Sequence, residues 1–333
     1  MATTKASAKK PAASRASAAK KSTVTKTVAK KSVRTVAAKT APVASPAKFD
    51  VKAPLFPTNL PNIILAELLG TFILTIVMLA AFAVSPFTAS KAGVLSSWLV
   101  DPLFIGLTVT VLTMGFGAVS GAHVNPAVTF GLWSMRKLKT VMVPVYWLSQ
   151  FLGALLAVGV INVMTSGQFV VSLANFLQFN LPLFFIELIG TAIFMFGIAS
   201  VLSREGLSLG AKALGIGVSL TIALVAGVSM LAPVQKADVE KYQTEVQKAA
   251  SQTDANNVKI ERPVLVNFAV LNPAVAIAVN ENGSDQAAST TGSTTTAKPI
   301  SRFGLEVILG SLVGAALGGN LYLLVAYRPK NEA

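Results

Sequence analysis

The sequence predicts an all-α membrane protein with six transmembrane helices and two re-entrant half-helices, arranged as an inverted repeat. Three observations predict it. Apolar blocks of about 20 residues, the length that crosses a bilayer, recur along the chain. Two shorter apolar segments each begin with the same triplet, Asn125-Pro126-Ala127 and Asn272-Pro273-Ala274. The two halves of the chain also carry matching motifs in the same order.

Composition sets the class. The 333 residues are 53% hydrophobic and only 13% charged, with a mean hydropathy of +0.64, whereas soluble domains are about 25% charged. There is no cysteine and one histidine, His123. Disulfides, thiol catalysis and cysteine metal sites are excluded, and a multi-histidine metal site or histidine-based triad is not expected. No Gly-Lys-Ser/Thr phosphate loop occurs, so ATP-driven pumping has no support. No cofactor, no metal and no enzymatic activity are expected.

The net charge of +14 is unevenly placed. Residues 1–53 hold thirteen Lys and Arg and a single acid, Asp50, which leaves the remainder near neutral at +2. Residues 1–57 are rich in Ala, Lys, Ser, Thr and Pro, with no apolar block to offset the entropy of ordering, and are predicted to be a disordered basic tail. The tail lacks the apolar core of a signal peptide. It is expected to meet anionic lipid headgroups or, non-specifically, nucleic acid through phosphate neutralisation. Having no aromatic residue before Phe49 and no folded reading element, it is not expected to recognise a DNA sequence.

The membrane domain is predicted over 58–330. Spans are expected near 62–84, 101–119 and 141–165 in the first half and 182–202, 209–232 and 304–327 in the second. The half-helices are expected at 126–135 and 273–280. Asn is a favoured N-cap and Pro a favoured first helical residue, so each triplet starts a helix inside an apolar stretch. The cap uses the side-chain oxygen and leaves the amide nitrogen to donate elsewhere. Paired short segments in corresponding positions point to a site at the bilayer midplane.

The repeat is legible in the numbering. The Glu-Leu-(Leu/Ile)-Gly-Thr motif beginning at Glu67 returns at Glu187, an offset of 120; Asn125 returns as Asn272, an offset of 147; and Gly153 returns as Gly314, an offset of 161. The first increase, 27, agrees with a polar insertion at 234–262, and the second, 14, with the Ser/Thr-rich insertion at 281–300. Each half holds three spans, and an odd number inverts the second half relative to the first. The half-helices can then meet tip to tip.

Orientation follows from Lys and Arg placement. The tail, Arg136-Lys137 with Lys139, Arg204 with Lys212, and Arg328 with Lys330 fall on one side. That side, with both termini, is expected to be cytoplasmic, and the membrane to be the plasma membrane. The opposite side receives both insertions. Within the first of these, Val234–Ser251 is expected to be a short amphipathic helix outside the membrane.

At Ser120-Gly121-Ala122-His123-Val124-Asn125-Pro126-Ala127-Val128-Thr129 the chain resembles the major intrinsic protein family, the aquaporins and aquaglyceroporins. Ala66-Glu67 with Gly70-Thr71, Tyr146-Trp147 with Gln150-Phe151 and Gly153, and Glu187 also sit where that family has them; the resemblance covers about 62–327. It implies a channel for water and small uncharged, glycerol-like solutes, formed as a homotetramer in the lipid bilayer with one pore per subunit. It implies that Asn125 and Asn272 donate to the permeating molecule and that Glu67 and Glu187 brace the re-entrant loops. His123, just before the first triplet, is read as lining the cytoplasmic vestibule, with a packed, hydrogen-bonded histidine as the plainer alternative. The glycines Gly70, Gly106, Gly121, Gly153, Gly190, Gly217 and Gly314 are expected to permit close helix crossings.

The second half departs from the family pattern. The family usually follows the second triplet with Arg, and here Val275 stands in that place. Spacing aligns the other constriction positions with Ile105, Leu224 and Ala269, so all four are aliphatic. Asn267-Phe268-Ala269-Val270-Leu271 also lacks the small residues usual before the triplet. Without the Arg, the constriction lacks a fixed cation barrier and several donors. Water crossing an aliphatic ring sheds hydrogen bonds without replacement. A broad neutral-solute channel with some water leak is expected over a water-specific filter.

Overall fold

The structure is a computed structural model that describes residues 55–83, 91–167, 169–173, 176–177, 179–250, 268–281 and 300–327; the side chains of 91–98, 238–239, 242, 246, 249–250, 281 and 300 are outside that description. The chain divides into Met1–Ala53, where the predicted tail lies outside the described residues, and Pro54–Ala333.

The described elements are α1 (Leu60–Ala83), α2 (Lys91–Phe116), α3 (Pro126–Ser134), α4 (Met142–Thr165), α5 (Leu181–Leu202), α6 (Leu209–Ala250), α7 (Pro273–Ala276), β1 (Asn280–Glu281), β2 (Ile300–Ser301) and α8 (Leu305–Val325). Among them, α1, α2, α4, α5, α6 and α8 are each long and apolar enough to cross a membrane. Much of their outward surface is apolar, as at Leu65, Leu103, Leu148, Leu156 and Leu321. That is what a lipid-facing helix requires, since the hydrophobic effect gives it no reason to hide such residues.

Three points of the structure refine the expectations. The second span, expected near 101–119, is found at Leu99–Phe116, within a helix that begins at Lys91 and runs through Pro102. The amphipathic segment after residue 233 is not a separate helix: α6 continues unbroken through Pro233 for 42 residues. A helix of that length is about 63 Å, roughly twice the hydrocarbon thickness of a bilayer. Its last turns carry the pair of exposed Lys241 and half-buried Glu245, 4.0 Å apart. Thirdly, the second half-helix is one turn, Pro273–Ala276, and not an eight-residue segment. It relaxes into a turn ending at Val279, whose carbonyl accepts from the Arg302 N–H at 2.8 Å. The chain then leaves in β1, which pairs antiparallel with β2, Asn280 opposite Ser301.

Helix α1 packs on α4, α5 on α8, and α2 on α6. The half-helices cross over: α3 packs on α8 of the second half, and α7 on α4 and α1 of the first. Small residues make the crossings close. A Cβ at Gly153 would stand 3.0 Å from the Phe72 backbone N, and one at its repeat mate Gly314 would stand 3.0 Å from the backbone of Leu188.

Candidate functional site

The two triplets form one structure. Asn125 caps α3, its Oδ1 accepting from the Ala127 N–H at 2.8 Å. Asn272 caps α7 with bonds from the Ala274 N–H at 3.1 Å and the Val275 N–H at 3.4 Å. Each side-chain nitrogen then reaches into the other loop. Asn125 Nδ2 donates to the Leu271 carbonyl at 2.8 Å, and Asn272 Nδ2 donates to the Val124 carbonyl at 3.0 Å. The amide nitrogens are therefore not wholly free, as the sequence reading had them. One of the two N–H donors on each is committed to holding the tips together, and the other remains.

The residues before each Asn are strained. Val124 has φ 44° and Leu271 φ 53°, a region that branched and bulky side chains rarely adopt and that costs about 1–3 kcal/mol. A buried carboxylate holds each loop in place. Glu67 accepts from the N–H groups of His123 at 2.9 Å and Val124 at 2.8 Å. Glu187 accepts from Val270 at 2.8 Å and Leu271 at 2.7 Å. The strained side chains fill space left by repeat-related glycines. A Cβ at Gly70 would stand 2.5 Å from Val124 Cγ1, and one at Gly190 would stand 2.6 Å from Leu271 Cδ2. The large Leu271 side chain is thus accommodated by Gly190.

The remaining partners of the two carboxylates differ. Glu67 also accepts from Ser120 Oγ at 2.6 Å and Gln150 Nε2 at 2.8 Å. Glu187 instead faces Arg302, with Nη2 3.5 Å from Oε1 and the Arg side chain 1% exposed. Arg302 Nη1 donates to the Phe268 carbonyl at 3.3 Å. Sequence reasoning missed this residue. Its available signal was a single Arg close before the last apolar block, in the half whose triplet lacks one.

A narrow cavity of about 50 Å³ runs past both triplets, lined by Asn125, Asn272, Val124, Leu271, Ile105 and Leu224 among others. On the measure in which one water takes about 10–15 Å³, it has room for roughly three to five waters. His123 borders it and also borders a wider cavity of about 300 Å³ lined by Lys137 and Lys212 among others. Of the four aligned constriction positions, Ile105 and Leu224 line the narrow cavity; Ala269 and Val275 are fully buried and do not line it. Ala269 is turned toward α6, where its Cβ would stand 2.7 Å from a Cβ at Gly227.

His123 stacks on Tyr146 with ring centroids 4.4 Å apart, and its Nδ1 is 3.1 Å from Thr129 Oγ1. Among the described residues, no three His, Cys, Asp or Glu side chains gather as a metal site.

The family model for the Major intrinsic protein matches residues 58–233, more than half of the sequence. The chain belongs to the major intrinsic protein family. Stretches of it are similar to individual relatives. It is 39% identical over 109 residues to Aquaporin Z of Photorhabdus laumondii, covering 31% of this chain and 43% of that protein. It is 36% identical over 132 residues to Aquaporin NIP2-3 of Zea mays, covering 38% and 42%. The chain thus spans less than half the length of these curated relatives. The solved aquaglyceroporin from Plasmodium falciparum is 20% identical with a TM-score of 0.47, covering 80% of this chain and 94% of that one. The major intrinsic protein match and the six apolar helices make the chain a multi-pass membrane protein.

Proposed function

We propose that the protein is a passive transmembrane channel for water and small uncharged, glycerol-like solutes, with an aliphatic constriction. The observation that carries this reading is the placing of Asn125 and Asn272 in the wall of one cavity, each with an N–H left to donate. A solute oxygen at the midplane meets two donors from opposite loops, and the start of α3 adds positive potential. The aliphatic character rests on Ile105 and Leu224, joined by Leu74, Val109 and Leu220 along the cavity. With Asn125, Asn272 and His123 as the polar side chains on that wall, a permeant molecule sheds most of its hydration between donors.

The basic residues Lys137 and Lys212 at the vestibule support placing that mouth in the cytoplasm, with both termini. The membrane is taken as the plasma membrane and the assembly as a homotetramer with one pore per subunit. The tail, residues 1–53, is assigned to anionic lipid or non-specific nucleic acid contact. Its deletion should abolish binding to anionic vesicles and leave solute flux unchanged.

Osmotic swelling of proteoliposomes in water, glycerol and urea tests the channel reading. Flux above protein-free vesicles is expected for water and at least one solute. Flux equal to protein-free vesicles, with folded protein verified in the membrane, refutes it.

A further inference from the structure

We propose that Arg302 keeps cations out of this conduit from behind its wall, by neutralising Glu187. The inference rests on the channel reading and concerns its selectivity.

The two loops present the same carboxylate to different partners. Glu67 is satisfied by neutral donors: Ser120, Gln150 and two backbone N–H groups. The repeat mate of Gln150, at the offset of 161, is Ser311. Its hydroxyl donates within its own helix, to the Ile308 carbonyl at 3.2 Å. The second loop thus has a guanidinium where the first has a side-chain amide.

The half-helices are unequal too. Helix α3 has nine residues and α7 only four, and a single turn sums few peptide dipoles. The second loop is therefore the weaker backbone barrier to cations, yet it carries a carboxylate one peptide behind the wall. Glu187 bonds the N–H groups of Val270 and Leu271, and both residues line the cavity. An uncompensated unit charge acting over about 10 Å at an effective dielectric of about 20 raises cation occupancy roughly tenfold. Arg302 cancels that charge. It is fixed for the purpose by its N–H on Val279, its Nη1 on Phe268 and the β1–β2 register next to it.

The test is potassium and water permeability of the full-length protein in proteoliposomes. Four forms are compared: wild type, Arg302→Gln, Glu187→Gln, and the double Glu187→Gln/Arg302→Gln. The potassium-to-water permeability ratio should rise roughly tenfold in Arg302→Gln when all four forms are compared at a pH alkaline enough to ionise the buried Glu187 carboxylate. It should return to the wild-type value in the double variant, where both charges are gone. Glu187→Gln, which leaves the cation, should be at least as potassium-tight as wild type. A folded Arg302→Gln channel with the wild-type ratio overturns the proposal, as does a double variant that leaks like Arg302→Gln. If Arg302→Gln does not fold, a potassium leak in Glu187→Gln or in the double variant overturns it. Absence of water flux in the wild type refutes the channel reading instead, so the two failures are distinct.

Discussion

Asn125 donates through its side-chain nitrogen to the backbone carbonyl of Leu271, 2.8 Å away and 146 residues further along the chain. The bond from Asn272 to Val124, at 3.0 Å, is its repeat image. Each Asn therefore caps its own short helix and clasps the loop of the other. Substitution by Ala should cost about 1 kcal/mol for the cap and a further 1–3 kcal/mol for the buried carbonyl left without its donor. Thermal unfolding in detergent should show both single variants destabilised. The Asn125→Ala/Asn272→Ala double should fall short of the summed losses, since the two residues share one structure.

The close crossings give a second expectation. Gly153→Ala and Gly314→Ala each drive a methyl group into the backbone of a neighbouring helix, α1 and α5 respectively. Overpacking of this kind costs about 1–3 kcal/mol. Both should lower the yield of folded protein and its unfolding midpoint. Gly159→Ala is the control, because its Cβ would meet nothing within 4 Å.

The aliphatic neck yields a selectivity prediction. Leu224 is 1% exposed in the protein and borders the narrow cavity beside Ile105. On the channel reading proposed above, Leu224→Ser supplies a hydroxyl to water passing an aliphatic wall and also widens the passage. Water permeability in stopped-flow swelling should rise. A fall would show that the neck is not the barrier.

Much of the fold is legible in the sequence because its signals are local and repeated. Six apolar blocks and the motifs at Glu67 and Glu187 specify the long helices and their pairing, and Asn-Pro specifies where α3 and α7 begin. Where α7 ends is not local. Its end is set when Val279 gives its carbonyl to Arg302, more than twenty residues later and across the insertion. The length of α6 is not legible either, because composition turns from apolar to polar near Pro233 while the helix continues past it. At the site, the capping geometry follows from residue type, but the direction of a side chain does not. Spacing cannot tell that Ala269 turns to α6 while Leu224 turns to the cavity. Nor can it tell that Arg302, on the approach to α8, reaches Glu187 and the Phe268 carbonyl of the second loop.

An experimental density map of the protein in lipid is the most direct measurement. The predicted result is two reciprocal bonds of 2.8 Å and 3.0 Å between the triplet loops, with ordered water between Asn125 and Asn272 in a continuous passage. Loop tips separated from one another, or asparagines turned to the lipid, would contradict it.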